Sequence, residues 1–143
     1  MRYLILILVL VGCSPARSWQ VDNLADTLPE LQKVFAYWRS EVGDAPNINL
    51  YVTTNDPPIS SKTGRRMAGE VKCEFNQVWV TIYLQAVHTR EQFRETLLHE
   101  LAHQALTCSD EDHVDTRDST MFWEILPDAD GRLDPDTLEK LRQ

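Results

Sequence analysis

Apolar residues recur along this chain with two different periods, and the points where the period changes mark its elements. Over residues 28–42, Leu31, Val34, Phe35, Trp38 and Val42 share one face at helical spacing, and Gly43 and Pro46 close the segment. The period then falls to two: Ile48, Leu50 and Val52 alternate with Asn49, Tyr51 and Thr53, which predicts a half-buried strand. Residues 55–66 are rich in Pro, Ser, Gly and charge and read as a mobile loop. Two more strands are expected over 67–75 and 77–84, joined by a tight turn near Asn76. In the second, Val78, Val80, Ile82 and Leu84 oppose Trp79, Thr81 and Tyr83. Helical spacing returns over 89–107, a stretch without Gly or Pro. There Phe93, Leu97, Leu101 and Ala105 form a stripe flanked by Leu98 and Ala102, and Thr89 with Gln92 has the form of a capping box. A last helix is expected at the C-terminus, with Asp134 as N-cap and Pro135 in the first helical position. This order predicts a single small α+β domain.

Off the stripe of the 89–107 helix lies the run His99-Glu100-Leu101-Ala102-His103, an HExxH motif. Residues four apart lie on one helical face, so the two imidazoles can bind one zinc ion. The glutamate beside them can take a proton from a water that the metal polarises. A catalytic zinc needs a third protein ligand and keeps its fourth position open. His113 is the first histidine downstream of the motif in a chain that has only 4, and it follows the polar loop 108–112. Asp110 and Asp112 in that loop are rival ligands. His113 is preferred because imidazole suits zinc.

With Met121 in the run Ser119-Thr120-Met121-Phe122-Trp123, the last third of the chain resembles the metzincin zinc peptidases, most closely their matrixin-like branch. The resemblance implies a minimal zincin domain: a small mixed sheet, the HExxH helix, a Met-turn at Met121 giving an apolar floor below the metal, and a C-terminal helix. It implies zinc held by His99, His103 and His113, with Glu100 as general base in peptide hydrolysis. It also implies an edge strand that binds extended peptides, for which 77–84 is the candidate; its Trp79 and Tyr83 are read as subsite residues or, as is more common for aromatics in a strand, as packing residues. The chain departs from the family's long motif, HExxHxxGxxH. Leu106 stands at the glycine position and Ser109 at that of the third histidine, so the helix is expected to run about a turn further before the chain doubles back. A thermolysin-like alternative would take Glu124 as third ligand, but Pro127 and Gly131 would break the second helix it needs.

The N-terminus adds an address. After Met1-Arg2 comes an apolar run too short to span a bilayer, ending Leu10-Val11-Gly12-Cys13. This resembles a bacterial lipobox, which implies cleavage before Cys13 and diacylglycerol on its sulfur. Residues 1–12 are then a signal peptide, 13–22 a lipidated tether and 23–143 the peptidase domain. The expected location is the cell envelope, at the outer membrane if the source is Gram-negative. With Cys13 acylated, Cys73 and Cys108 remain as an even pair, expected as a disulfide in an oxidising compartment, with two free thiols as the alternative. The 22 acidic and 14 basic residues give a net charge of −8, which argues against nucleic-acid binding. A peptide or protein substrate, a membrane reached through the lipid and a monomeric state complete the expectation. The alternative is a catalytically silent zincin-scaffold lipoprotein, a binding or structural module. Glu100 weighs against it, since a silent scaffold has little need of a base beside the metal.

Overall fold

The computed structural model describes residues 24–115, 117, 119–121, 125, 126 and 128–143. Residues 1–22, expected to carry a signal peptide, Cys13 and a tether, lie outside the described residues, as do Glu124 and the side chain of Asp110. The architecture is α+β, with helices α1 (Leu28–Glu41), α2 (Arg90–Ala105) and α3 (Pro135–Leu141) and strands β1 (Asn49–Thr53), β2 (Gly69–Glu74) and β3 (Gln77–Tyr83). No described helix is long and apolar enough to cross a membrane.

The sheet is mixed, in the order β1-β3-β2, with β1 parallel and β2 antiparallel to β3. This corrects one expectation. β3 is the central strand, not the edge, because both neighbours pair with it, and β2 is the edge strand that borders α2. The β2–β3 hairpin turns through two residues, Phe75 and Asn76, with φ of 48° and 63°. Positive φ at both central positions matches the right-handed twist of the paired strands.

Strand alternation decides what faces the helices. Val80 and Ile82 of β3 are fully buried, and Leu50, Val52 and Val71 stand beside them through the register. Against this face α2 lays Phe93, Leu97, Leu98, Leu101 and Ala102, all fully buried, and α1 adds Val34 and Trp38. Each large side chain so buried contributes roughly 1.5–3 kcal/mol. On the opposite face Trp79 stacks on Tyr51, with ring centroids 5.8 Å apart, so packing and not a subsite is its role.

Polar contacts fix the helices relative to one another. Glu30 of α1 is 2% exposed, and its carboxylate accepts from Arg94 of α2 at 2.9 Å and from Lys33 at 3.1 Å. A buried carboxylate needs such partners to stay charged. At the start of α2, Thr89 Oγ1 accepts from the Gln92 amide at 3.0 Å. The Gln92 side chain in turn accepts from the His88 amide at 2.8 Å, one residue earlier than the usual reciprocal cap.

The expected extra turn of α2 is absent. The helix ends at Ala105, and the Cys108 amide reaches back to the His103 carbonyl at 2.8 Å. Leu106 need not take a positive φ because the left-handed residue comes later, at Cys108, with φ of 55°. A 3-10 turn over Asp110–Asp112 absorbs the additional loop length. The 55–66 loop carries hydrogen bonds of its own. Ser60 and Arg65 pair through their backbones, Thr63 and Lys62 donate to Ser60 Oγ, and Ile59 bridges Arg66.

Candidate metal centre

His99 and His103 lie one turn apart on α2, on the side not used for the core, and both are buried, at 7% and 4% exposure. The chain then reverses through the 3-10 turn and brings His113 over them. The three Nε2 atoms form a triangle with every side 3.1 Å. They are the described residues able to converge on one metal ion.

Hydrogen bonds at the other ring nitrogens decide what this triangle means. His99 Nδ1 lies 2.7 Å from the Thr120 carbonyl, which can only accept, so Nδ1 carries the proton. His103 Nδ1 lies 3.0 Å from Asp112 Oδ2 and donates to it in the same way. Neutral rings held in these tautomers turn bare Nε2 lone pairs toward each other. Burial above all, with His103 and His113 nearby, pulls the His99 pKa down to about 3, so this ring stays neutral at ordinary pH. Lone pairs crowded at 3.1 Å repel unless a cation lies among them. A point 2.0–2.1 Å from all three nitrogens, the zinc–imidazole distance, lies only about 1 Å above their plane. The donor set and its geometry therefore fit zinc with one side open.

Asp112, a rival ligand by sequence, is instead the carboxylate that orients His103. It is held in turn by the Thr107 hydroxyl and amide and by the Ser109 amide. Burial alone would raise its pKa, but the hydrogen bonds from Thr107, His103 and Ser109 outweigh that and hold it low. Such partners of metal-binding histidines fix tautomer and ring orientation. Sequence reasoning weighed Asp112 for the wrong place in the site.

The turn at Met121 is buried, with Met121 at 2% exposure, and its contact with the site runs through the Thr120 carbonyl. That carbonyl is positioned from α3. Asp134 caps the helix with Oδ1, accepting from the Asp136 and Thr137 amides, while Oδ2 accepts from the Thr120 amide at 2.7 Å and Ser119 Oγ at 3.1 Å. Its cap role was legible in the sequence; its hold on the turn beneath His99 was not.

Glu100 follows His99 and is 5% exposed. Its room comes from Gly69 at the start of β2, where a Cβ would lie 2.8 Å from Glu100 Oε1 and 2.8 Å from Thr96 Cγ2. Burial, and secondarily the charge of Glu70, push the Glu100 pKa up to about 8. Glu70 accepts from the Tyr83 hydroxyl at 2.7 Å, and Tyr83 is itself raised to about 12 by burial and by that carboxylate. All three histidines and Glu100 open into one cleft of about 470 Å³, with β2 on one side and the 59–67 loop as its wall.

Cys73 of β2 and Cys108, in the turn after α2, form a disulfide that ties the edge strand to the loop carrying Asp112 and His113. Comparisons of the chain with models of protein families, with curated proteins and with solved structures found no match.

Proposed function

We propose that this chain is a zinc-dependent endopeptidase, tethered to the cell envelope through lipid on Cys13. The observation that carries the reading is the convergence of three imidazole Nε2 atoms beside a buried glutamate, all facing an open cleft. Zinc bound there would supply Lewis-acid polarisation of a carbonyl and of water. His99, His103 and His113 would hold it, with Thr120 and Asp112 keeping the first two rings in the required tautomer. Glu100 takes the proton as water attacks the scissile carbonyl and returns it to the leaving amine nitrogen. A cation held by the histidines would favour the ionised, proton-accepting carboxylate, against the burial that raises its pKa.

The edge strand supports a peptide substrate. Among the described residues β2 pairs on one side only, with β3, and Gly69, Glu70 and Val71 line the cleft. The free backbone groups of an edge strand can pair with an extended chain laid beside them. The disulfide fits the oxidising compartment that a lipoprotein signal implies.

The test is Glu100→Gln, which keeps shape and hydrogen bonding but removes the base. Zinc content should stay at the parent level while cleavage of a peptide library falls about a hundred- to ten-thousand-fold. Equal cleavage by both proteins would place the activity elsewhere. Zinc-loaded parent that cleaves nothing across the library would assign the chain to the silent-scaffold alternative.

A further inference from the structure

The cleft wall opposite β2 carries charge that the metal centre does not use. The chain as a whole is acidic, with a net charge of −8. Yet Lys62, Arg65 and Arg66 all line this cleft and all are exposed. Among the described residues, Glu70 and Glu100 are carboxylates that line the same cleft. Glu100 lies beneath the surface, and Glu70 is occupied by the Tyr83 hydroxyl at 2.7 Å and lies 3.7 Å from Lys72 Nζ. Arg66 thus stands exposed on the solvent side of the cleft, beside Lys62 and Arg65, in a molecule of net negative charge.

The wall is also built to hold those charges in place. The backbones of Ser60 and Arg65 pair at 2.8 Å, and the Met67 amide donates to the Pro58 carbonyl at 2.9 Å. Thr63 Oγ1 accepts from the Arg65 amide at 3.2 Å. The antiparallel bridge between Ile59 and Arg66 puts their side chains next to each other on one face. Ile59 is 61% exposed and also lines the cleft. Arg66 makes no side-chain ion pair or hydrogen bond within the described residues, so its guanidinium is available to a ligand.

We infer that the 59–66 wall selects peptide substrates carrying aspartate or glutamate, with Arg66 as the principal specificity-determining residue. This rests on the peptidase reading and names the substrate class for the same cleft. A planar guanidinium pairs with a carboxylate through two parallel hydrogen bonds, which favours arginine for this task. Like-signed charge around a cleft also raises the local concentration of oppositely charged ligand.

The experiment measures binding and cleavage separately. Two fluorescein-labelled decapeptides share their apolar residues; one carries Asp and Glu at its polar positions, the other Lys. Their affinities for the full chain bearing Glu100→Gln, loaded with zinc, are read by fluorescence polarisation. The acidic peptide should bind about tenfold more tightly at low salt, the gap of two well-placed exposed ion pairs, and the gap should close as salt rises. Adding Arg66→Gln should remove most of the preference, and adding Arg66→Glu should reverse it, with zinc content unchanged. Equal binding of the two peptides, or a preference indifferent to both Arg66 changes, would overturn the inference. The parent, with Glu100 intact, is then given both peptides with zinc. Acidic-selective binding without cleavage of either would sink the peptidase reading while leaving the charge selection standing.

Discussion

His103 has a carboxylate partner at Nδ1, and that pairing gives the most direct residue-level test of the centre. Asp112 takes the Nδ1 proton, so Nε2 is presented bare to the cleft. Asp112→Asn keeps the side chain's size but weakens this hold, and an amide can present its NH2 group instead of an acceptor. Zinc affinity should fall about 10–100-fold. His113→Ala, which removes a ligand outright, should cost more. Competition with a chromophoric chelator measures both, and unchanged affinity in Asp112→Asn would show that the carboxylate does not orient the ring. The spacing of His99, Glu100 and His103 was legible because a helix makes i and i+4 neighbours whatever surrounds it. The role of Asp112 was not, because it depends on how the 3-10 turn folds the loop back onto α2. Gly69 was invisible for a similar reason. Alternation places it in a strand, but only the packing of β2 against α2 shows that a Cβ there would meet Glu100.

At the scale of elements, α2 depends on three others for its chemistry. α3 reaches His99 through Asp134 and Thr120, the hairpin reaches Glu100 through Gly69, and the loop after α2 supplies His113. The Cys73–Cys108 bridge joins the last two, closing 35 residues of chain. In the chain-entropy account a loop of this size contributes about 3–4 kcal/mol by restricting the unfolded state. Cys108→Ser should lower stability by up to that amount in denaturant titrations. It should also weaken zinc, because the residue begins the segment that carries Asp112 and His113. A variant with parent stability and parent affinity would show that the bridge constrains neither. Periodicity located α1, α2 and the three strands to within a few residues, and cap chemistry located α3; the 3-10 turns were not foreseen. It did not order the sheet: β3 alternates cleanly enough to pass for an edge strand, but its pairing on both sides makes it central. Strand neighbours are decided by long-range packing that local alternation does not encode.

Across the whole molecule, burial sets a pH dependence apart from the metal. Glu95, on α2 near the chain's C-terminal segment, is pushed up to about 7 by burial and by the charges of Asp130 and Asp128, against the hydrogen bond from the Gly131 amide. A carboxyl with a raised folded-state pKa binds its proton more tightly folded than unfolded. Its favourable contribution is complete below the unfolded value of 4.5 and is lost as pH rises to about 7. Glu95→Gln keeps an acceptor and cannot ionise, so the stability difference, variant minus parent, should grow over that window. Melting curves from pH 4.5 to 7 check this, and parallel curves for the two proteins would refute it. The proposed centre is one zinc ion held on three imidazoles of this small α+β frame, with one side open. Zinc K-edge absorption on the chain with one equivalent of zinc tests it most directly. The expected shell is three imidazole nitrogens at 2.0–2.1 Å and one light non-protein ligand. Failure to bind zinc, a shell with fewer than three imidazoles, or one containing sulfur would contradict it.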